Sequence, residues 1–141
     1  MRDLANHLHV KRVLAPAAAI ADNTAQVGQI VDHAGFNSAC YIIQAGAIAD
    51  ADATVTVLLE HGDDPALGDA TAVPDSQLTG TEALAGLTFA DDNEPRKLGY
   101  VGSKRFTRMT LTPVNNAGNL FLSASCVLSD ARYAPTANPP A

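Results

Sequence analysis

The sequence contains no tryptophan, and aromatic residues make up only 5% of it. Surfaces that bind single-stranded nucleic acid or sugars stack their ligands on aromatic side chains, so this composition argues against both. No apolar run reaches about 18 residues, the length that a membrane-spanning helix needs, so no membrane contact is expected. No basic segment leads into an apolar segment with a cleavage site, and a secretory signal is therefore not expected.

Positive charge is missing from the whole middle of the sequence. Residues 21–94 hold thirteen Asp and Glu and no Lys or Arg, whereas residues 1–20 sum to +2 and residues 95–141 to +5, for a net charge of −6. An acidic surface repels phosphate backbones, so nucleic acid is not an expected partner. The basic ends can meet acidic surface on another copy, on another protein, or in the middle of their own chain.

The stretch from Leu98 to Asp130 organises the predicted fold. Residues 120–129 alternate strictly, with Leu, Leu, Ala, Cys and Leu on one face and mostly serine on the other, as in a half-buried strand. Residues 106–114 are rich in Thr, Phe, Leu and Val, which favours a second strand, although Thr107 interrupts its apolar face. Asn115, Asn116 and Gly118 suit a turn between them, so we expect a central hairpin.

Further strands are predicted along the chain, joined by turns rich in Gly, Asp and Pro. Residues 37–44 are apolar on both faces, so we expect a central strand covered on each side and paired in a hairpin with residues 54–60. The remaining predicted strands are residues 24–31, short edge strands within 78–89, and residues 96–101. The sequence therefore predicts an all-β fold, an antiparallel β-sandwich or jelly-roll of about seven to eight strands.

Proline sets the predicted limits of this domain. Pro16 argues against a helix through residues 1–20, which we interpret as an extended arm with a short helical turn at its start. Pro135, Pro139 and Pro140 exclude a central strand or a helix from residues 132–141, which we interpret as a proline-rich tail. The β-sandwich domain is expected to span residues 21–131.

No residue pattern predicts catalysis or a bound cofactor. His7 and His9 lack a third ligand nearby, and the acidic turns at Asp50–Asp52 and Asp63–Asp64 lack the spacing of a calcium loop. The glycines before Lys104 lack P-loop spacing, and no serine or cysteine lies in a nucleophile motif. Cys40 and Cys126 are expected to be reduced thiols rather than a disulfide. We therefore expect no enzyme activity, no metal and no cofactor.

Several segments resemble a family of small structural proteins encoded among the head genes of tailed bacteriophages and prophages. The most specific is the Gly-Tyr-Val-Gly-Ser-Lys-Arg run within residues 98–108. The others are residues 31–39, 43–46, 54–60, 78–82 and 132–135. The chain departs from the family's pattern at His33, where Gln is common, and in a long loop over residues 61–78.

The resemblance implies a virion protein made in the host cytoplasm, with decoration (cement) of the outer capsid surface as its role and the major capsid protein as its partner. The charge split and the two arms predict a homo-oligomer, a trimer first and a pentamer second. The alternatives are a pentameric vertex turret or another head or tail structural protein and, as a different class, a carbohydrate-binding or adhesion β-sandwich. Our hypothesis for the interface is a set of cationic and exposed apolar residues: Arg2, Leu4, Leu8, Lys11, Arg12, Lys104, Arg105, Arg108, Arg132 and Tyr133.

Overall fold

The fold is a two-layer antiparallel β-sandwich, as a computed structural model describes it over residues 2–140. Met1 and Ala141, the outermost residues of the predicted arm and tail, lie outside the described residues. The predicted all-β class is confirmed. The strands of the described chain are β1 (His9–Leu14), β2 (Gln26–Val27), β3 (Val31–Asp32), β4 (Phe36–Ile48), β5 (Thr54–Gly62), β6 (Thr71–Ala72), β7 (Leu78–Thr79), β8 (Leu87–Thr88), β9 (Pro95–Tyr100), β10 (Phe106–Val114) and β11 (Leu120–Ala131).

Helical structure is confined to short connections. One α-helical turn, α1, covers Glu82–Ala85, and the Thr81 hydroxyl caps it by accepting a hydrogen bond from the Leu84 amide. Turns of 3-10 helix cover Ala5–His7, Asp75–Gln77 and Phe89–Asp91. Among the described residues, no helix is long and apolar enough to cross a membrane.

The two sheets divide the long strands between them. The five-stranded sheet has the order β1-β11-β4-β9-β7. The other sheet has the order β2-β10-β5-β6, with β3 also paired to β10 and β8 to β5. The inner faces pack against each other through alternate apolar side chains such as Tyr41, Ile43, Leu59, Leu111 and Leu128.

Both predicted hairpins are wrong, although their strands are present. β10 pairs with β5 in one sheet while β11 pairs with β4 and β1 in the other. The loops after β4 and after β10 therefore pass from one sheet to the other. Each strand buries a full apolar face, and a five-residue loop easily spans the roughly 10 Å between packed sheets. The strands therefore stack face to face instead of side by side.

The predicted strand over residues 24–31 is split by Gly28. The Gly28 amide donates to the Met109 carbonyl (2.8 Å), and the Gln29 amide donates to the Val13 carbonyl of the other sheet (2.9 Å). A Cβ on Gly28 would lie 2.6 Å from both Met109 O and Val13 Cγ1. Only glycine fits this close approach, and β2 and β3 are short for that reason.

The N-terminal segment is not a separate arm. The predicted helical turn is present at Ala5–His7, but β1 then pairs with β11 along its length, and Val13 is fully buried in the core. Alternation of buried His9 and Val13 with exposed Val10 and Arg12 matches an edge strand with one inward face. The predicted domain boundary at residue 20 therefore moves to about residue 8.

β4 is central, but it is not covered on both sides. Tyr41, Ile43 and Ala45 face the core, whereas Ile42 points outward and is exposed. The expectation of two covered faces is wrong because the five-stranded sheet is an outer layer of the sandwich. Gly46 sits in a β-bulge opposite Phe121, whose Cβ would lie 2.9 Å from a Cβ added there.

Candidate functional site

Most of the proposed interface residues lie at one end of the sandwich, which we call the terminal end. β4 and β10 begin there, and β5, β9 and β11 finish there. The terminal end consists of residues 2–8, 32–35, 63–70, 101–105 and 130–140. Antiparallel strands thus gather the two chain ends and the loops of the Gly99–Arg108 and Val31–Ala39 segments, which carry the strongest sequence resemblance.

The two chain ends hydrogen-bond to each other. The Thr136 amide donates to the Asn6 carbonyl (2.9 Å), and the Thr136 hydroxyl donates to the Leu8 carbonyl. The His9 ring stacks on the Phe36 ring beneath the tail, with 5.5 Å between centroids. The tail around Thr136 is otherwise exposed, and Tyr133 is 80% exposed.

Tyr100 holds the loop between β9 and β10 in place. Its ring is buried, and its hydroxyl accepts a hydrogen bond from the Lys104 amide (3.0 Å) and lies 2.9 Å from Nδ1 of His61. The loop thus wraps around the tyrosine tip. A Cβ on Gly102 would lie 2.5 Å from that hydroxyl, so the second glycine of the Gly-Tyr-Val-Gly run is required by packing.

A second polar cluster lies beside the first, inside the core. The Thr107 hydroxyl lies 2.7 Å from Nε2 of His33 and 2.5 Å from the Tyr41 hydroxyl. Burial raises the pKa of Tyr41 and lowers the pKa of His33, although Asp32 opposes the shift at His33. Both groups are therefore neutral near pH 7, and the buried hydroxyl of Thr107 joins them.

His61 is buried on the other side of the Tyr100 ring, in a T-shaped contact with 5.7 Å between centroids. Burial is the main reason that its pKa is lowered, and nearby Lys104 lowers it further. The His33 ring contacts Tyr100 at 5.3 Å. Two neutral histidines therefore flank one buried tyrosine at the base of the terminal end.

The cations of the loop after β9 pair with carboxylates of neighbouring loops. Arg105 binds both oxygens of Asp32, at 2.9 Å each, and Lys104 Nζ lies 2.8 Å from Asp63. The hydrogen bond from Arg105 lowers the pKa of Asp32, and that from Lys104 lowers the pKa of Asp63. These pairs are exposed, so they contribute little stability, but they fix the loop's position.

A pocket of about 340 Å³ opens between this loop and the start of β4. Hydrogen-bonding groups dominate its lining, which includes His33, Asn37, Tyr100, Ser103, Lys104 and Arg105. In the acidic turn next to the pocket, two carboxylates accept hydrogen bonds from backbone amides of the same turn. Asp69 accepts from the amides of Asp63 and Asp64, and Asp64 accepts from those of Ala66 and Gly68.

No three His, Cys, Asp or Glu side chains of residues 2–140 are grouped as metal ligands would be. The lack of an enzyme activity and of a cofactor stays a prediction. Cys126 is fully buried, and burial raises its pKa to about 12, while Cys40 is partly exposed on the neighbouring strand; both are free thiols.

Seven of the ten proposed interface residues lie at the terminal end: Arg2, Leu4, Leu8, Lys104, Arg105, Arg132 and Tyr133. Lys11 borders it within β1, beside a cavity shared with Tyr133 and Pro135. Arg12 lies on the outward face of the five-stranded sheet. Arg108 lies on the other sheet and pairs with Glu60 (3.1 Å), and both side chains are partly buried.

The sequence analysis did not identify Tyr41, His61 and Thr107, which form the buried polar clusters around Tyr100 and Thr107 at the terminal end. Thr107 left a signal, because it interrupts an apolar face that Met109 and Leu111 continue. No sequence pattern identified His61 as a core residue, since the predicted strand ended at residue 60 and β5 extends to Gly62.

Comparison with protein-family models finds no match, and comparison with curated proteins also finds none. Solved structures with a similar outline include the SPBc2 prophage-derived protein YomS, which is 12% identical with a TM-score of 0.46 over 86% of this chain and 95% of its own. They also include the carbohydrate-binding module CBM32 of AlyQ (16% identity, TM-score 0.40, 79% and 75% covered) and a xylan-binding CBM22 domain (11%, 0.39, 94% and 92%). Similarity this weak carries no argument about function.

Proposed function

We propose that this chain is a structural component of a tailed-phage virion, a decoration (cement) protein that binds the outer surface of the capsid through its terminal end. The observation that carries the proposal is the grouping of both chain ends with the Gly99–Arg108 and Val31–Ala39 segments at that end. These two segments carry the resemblance to phage head proteins. Their packing against the termini favours one shared contact surface.

The chemistry of the terminal end suits a protein partner. Leu4 is 61% exposed and Tyr133 is 80% exposed, so this end offers an apolar and an aromatic side chain that a partner can cover. Arg2 and Arg132 have no ion pair within residues 2–140, unlike Lys104 and Arg105. A capsid surface with carboxylates around an apolar patch would complement both features.

A contact made by two cations and two exposed apolar or aromatic side chains is weak for a single copy. A lattice compensates because many copies bind together, and any self-association of the decoration protein links their contacts. The major capsid protein is therefore the proposed partner, and the site is repeated over the outer shell. A turret at the vertices is the second location, and electron microscopy of decorated particles distinguishes the two.

Co-sedimentation with purified capsids of the phage or prophage that encodes the chain tests the proposal. The wild-type protein should sediment with capsids, and the double variant Leu4→Ala, Tyr133→Ala should lose at least tenfold in affinity. Leu84→Ala is the matched control, because Leu84 is 72% exposed on α1, away from the terminal end, and should bind normally. Wild-type binding by the double variant would contradict the proposed surface.

A carbohydrate-binding module is the second candidate, on the observation that the 340 Å³ pocket is lined by hydrogen-bonding side chains. Its Tyr100 ring is buried and offers little stacking area, which disfavours this candidate. A glycan array separates the two. Saturable glycan binding that Ser103→Ala or His33→Ala abolishes, without capsid binding by the wild type, would favour the module.

A further inference from the structure

The outward face of the five-stranded sheet is unlike the rest of the surface. We call the outward side chains of β1, β11, β4 and β9 the serine face. One cross-strand row runs Arg12, Ser125, Ile42, Lys97, as the strand register shows. Ser123 and Ser129 lie on the same face of β11. Small side chains thus alternate with larger ones on this face, and Pro140 of the tail borders it beside Val10, Arg12 and Ser125.

The serine face carries positive charge only. None of the outward positions of its four strands is Asp or Glu, although the chain holds fifteen of them. Asp130 reaches only its margin, where it accepts a hydrogen bond from Ser38. Arg12 and Lys97 have no ion pair within residues 2–140, and three strand spacings place their strands about 14 Å apart.

Apolar side chains lie between and beside these two cations. Val10 and Ile42 are each 41% exposed, and Phe121 is 39% exposed. Serine and glycine neighbours have few rotamers to immobilise, so covering this face costs little side-chain entropy. A partner would therefore gain apolar contact at the centre and two ion pairs at the sides.

A complementary surface exists on the same chain, at the end opposite the terminal end. We call it the acidic end: the loops that hold Asp50, Asp52, Asp91, Asp92 and Glu94. Arg96 neutralises Asp91 (2.5 Å), but Asp52 and Glu94 are exposed, and their carboxylates accept no hydrogen bond within residues 2–140. Two serine faces cannot pair with each other, because their cations would repel.

We propose that the serine face of one copy docks onto the acidic end of the next copy, in a head-to-tail contact that closes into a ring. Such a heterologous interface forms closed rings when its rotation closes, and a trimer is the expected size. The contact leaves the terminal end free. It goes beyond the proposed function, because the ring forms without a capsid.

Native mass spectrometry and sedimentation velocity of the purified protein test the ring. The wild type should be oligomeric. The double variant Arg12→Glu/Lys97→Glu should be monomeric with an unchanged circular dichroism spectrum, and so should the double variant Asp52→Lys/Glu94→Lys. The chain with all four substitutions should assemble again, because both charges are exchanged across the interface. Asp52 and Glu94 were chosen because Asp50 and Asp92 cap backbone amides and their loss would disturb the fold.

The double variant Arg2→Glu, Arg132→Glu is the matched control. It makes the same change in net charge at two exposed cations of the terminal end, and it should stay oligomeric. Three outcomes would each overturn the proposal. The wild type is monomeric, the double variant Arg12→Glu/Lys97→Glu still forms the ring, or the chain with all four substitutions is folded but stays monomeric. If Arg12→Glu, Lys97→Glu stays oligomeric but loses capsid binding, the face belongs to the capsid contact instead, and the terminal-end variants decide the proposed function separately.

Discussion

At the scale of the single residue, Thr107 has more effect on the core than its size suggests. Its hydroxyl joins Tyr41 to His33 inside the core. Thr107→Val keeps the shape but leaves the buried Tyr41 hydroxyl and the partly buried His33 ring without their partner. We expect it to lower the free energy of unfolding by about 1–3 kcal/mol, measured by urea denaturation.

Thr110→Val is the matched control for that measurement. Thr110 lies on the same strand but faces outward, and its hydroxyl makes no hydrogen bond within residues 2–140. It should change the urea midpoint little. Equal effects of the two substitutions would mean that the Thr107 hydroxyl contributes nothing specific.

His61 should make stability depend on pH. Its pKa in the folded protein lies below the ordinary value of 6.5, chiefly because it is buried, so the unfolded chain binds more protons as pH falls through 6.5. Stability is therefore full above pH 6.5 and declines as pH falls towards the folded-state pKa. The lowered pKa of His33 acts in the same direction. Urea midpoints at pH 7.5 and 5.5 should differ accordingly.

His61→Asn should flatten that dependence, because the amide can still reach the Tyr100 hydroxyl but does not titrate. The lowered pKa values of Asp32 and Asp63 matter only below their ordinary value of 3.8, outside this range. A His61→Asn protein with the full wild-type slope would assign the effect to other groups.

At the scale of the element, β1 decides how much of the N-terminus can be removed. Deleting residues 2–8 removes an exposed turn and the two carbonyls that accept hydrogen bonds from Thr136, and it should leave a folded domain. Deleting residues 2–14 also removes β1 and the buried Val13, whose burial alone is worth about 1.5–3 kcal/mol, and it uncovers the edge of β11.

Thermal denaturation of the two truncations measures this difference. The shorter deletion should keep a cooperative transition near that of the full chain, and the longer one should lose several degrees or the transition itself. An unchanged midpoint after deletion of residues 2–14 would mean that β1 contributes nothing to the stability of the domain and is a separate arm.

The strands were predictable from the sequence, and their partners were not. Residues 106–114 and 120–129 carry local alternation, which fixes which side of each strand is buried. Alternation is equally satisfied by a hairpin and by two strands stacked across a core. The choice depends on β5 and β4, which are distant in sequence, and on the close approach at Gly28, so no local pattern reveals it.

At the scale of the whole molecule, the charge pattern of the sequence does not become a separation of charge in space. The cations of the termini and of the loop after β9 share the terminal end with six aspartates, which are Asp3, Asp32, Asp63, Asp64, Asp69 and Asp130. Asp50, Asp52, Asp92 and Glu94 meet at the other end. The sequence offered the candidate interface residues as separate segments, and only the antiparallel strand order brings most of them to one end; their role in an interface stays a prediction. Arg12 and Lys97 were separable from that group only once the register placed them in one row.

The hydrogen bonds of Thr136 to Asn6 and Leu8 make the chain suitable for circular permutation. A short Gly-Ser linker can join residue 140 to residue 2, and new ends can be opened between Ala18 and Ala19, in an exposed alanine stretch. The rearranged chain would then run from Ala19 through β11, and the tail, the linker and residues 2–8 would connect β11 to its partner strand β1. A long-range pairing would become a local one, so stopped-flow refolding should be faster than for the natural order while the native fold is kept.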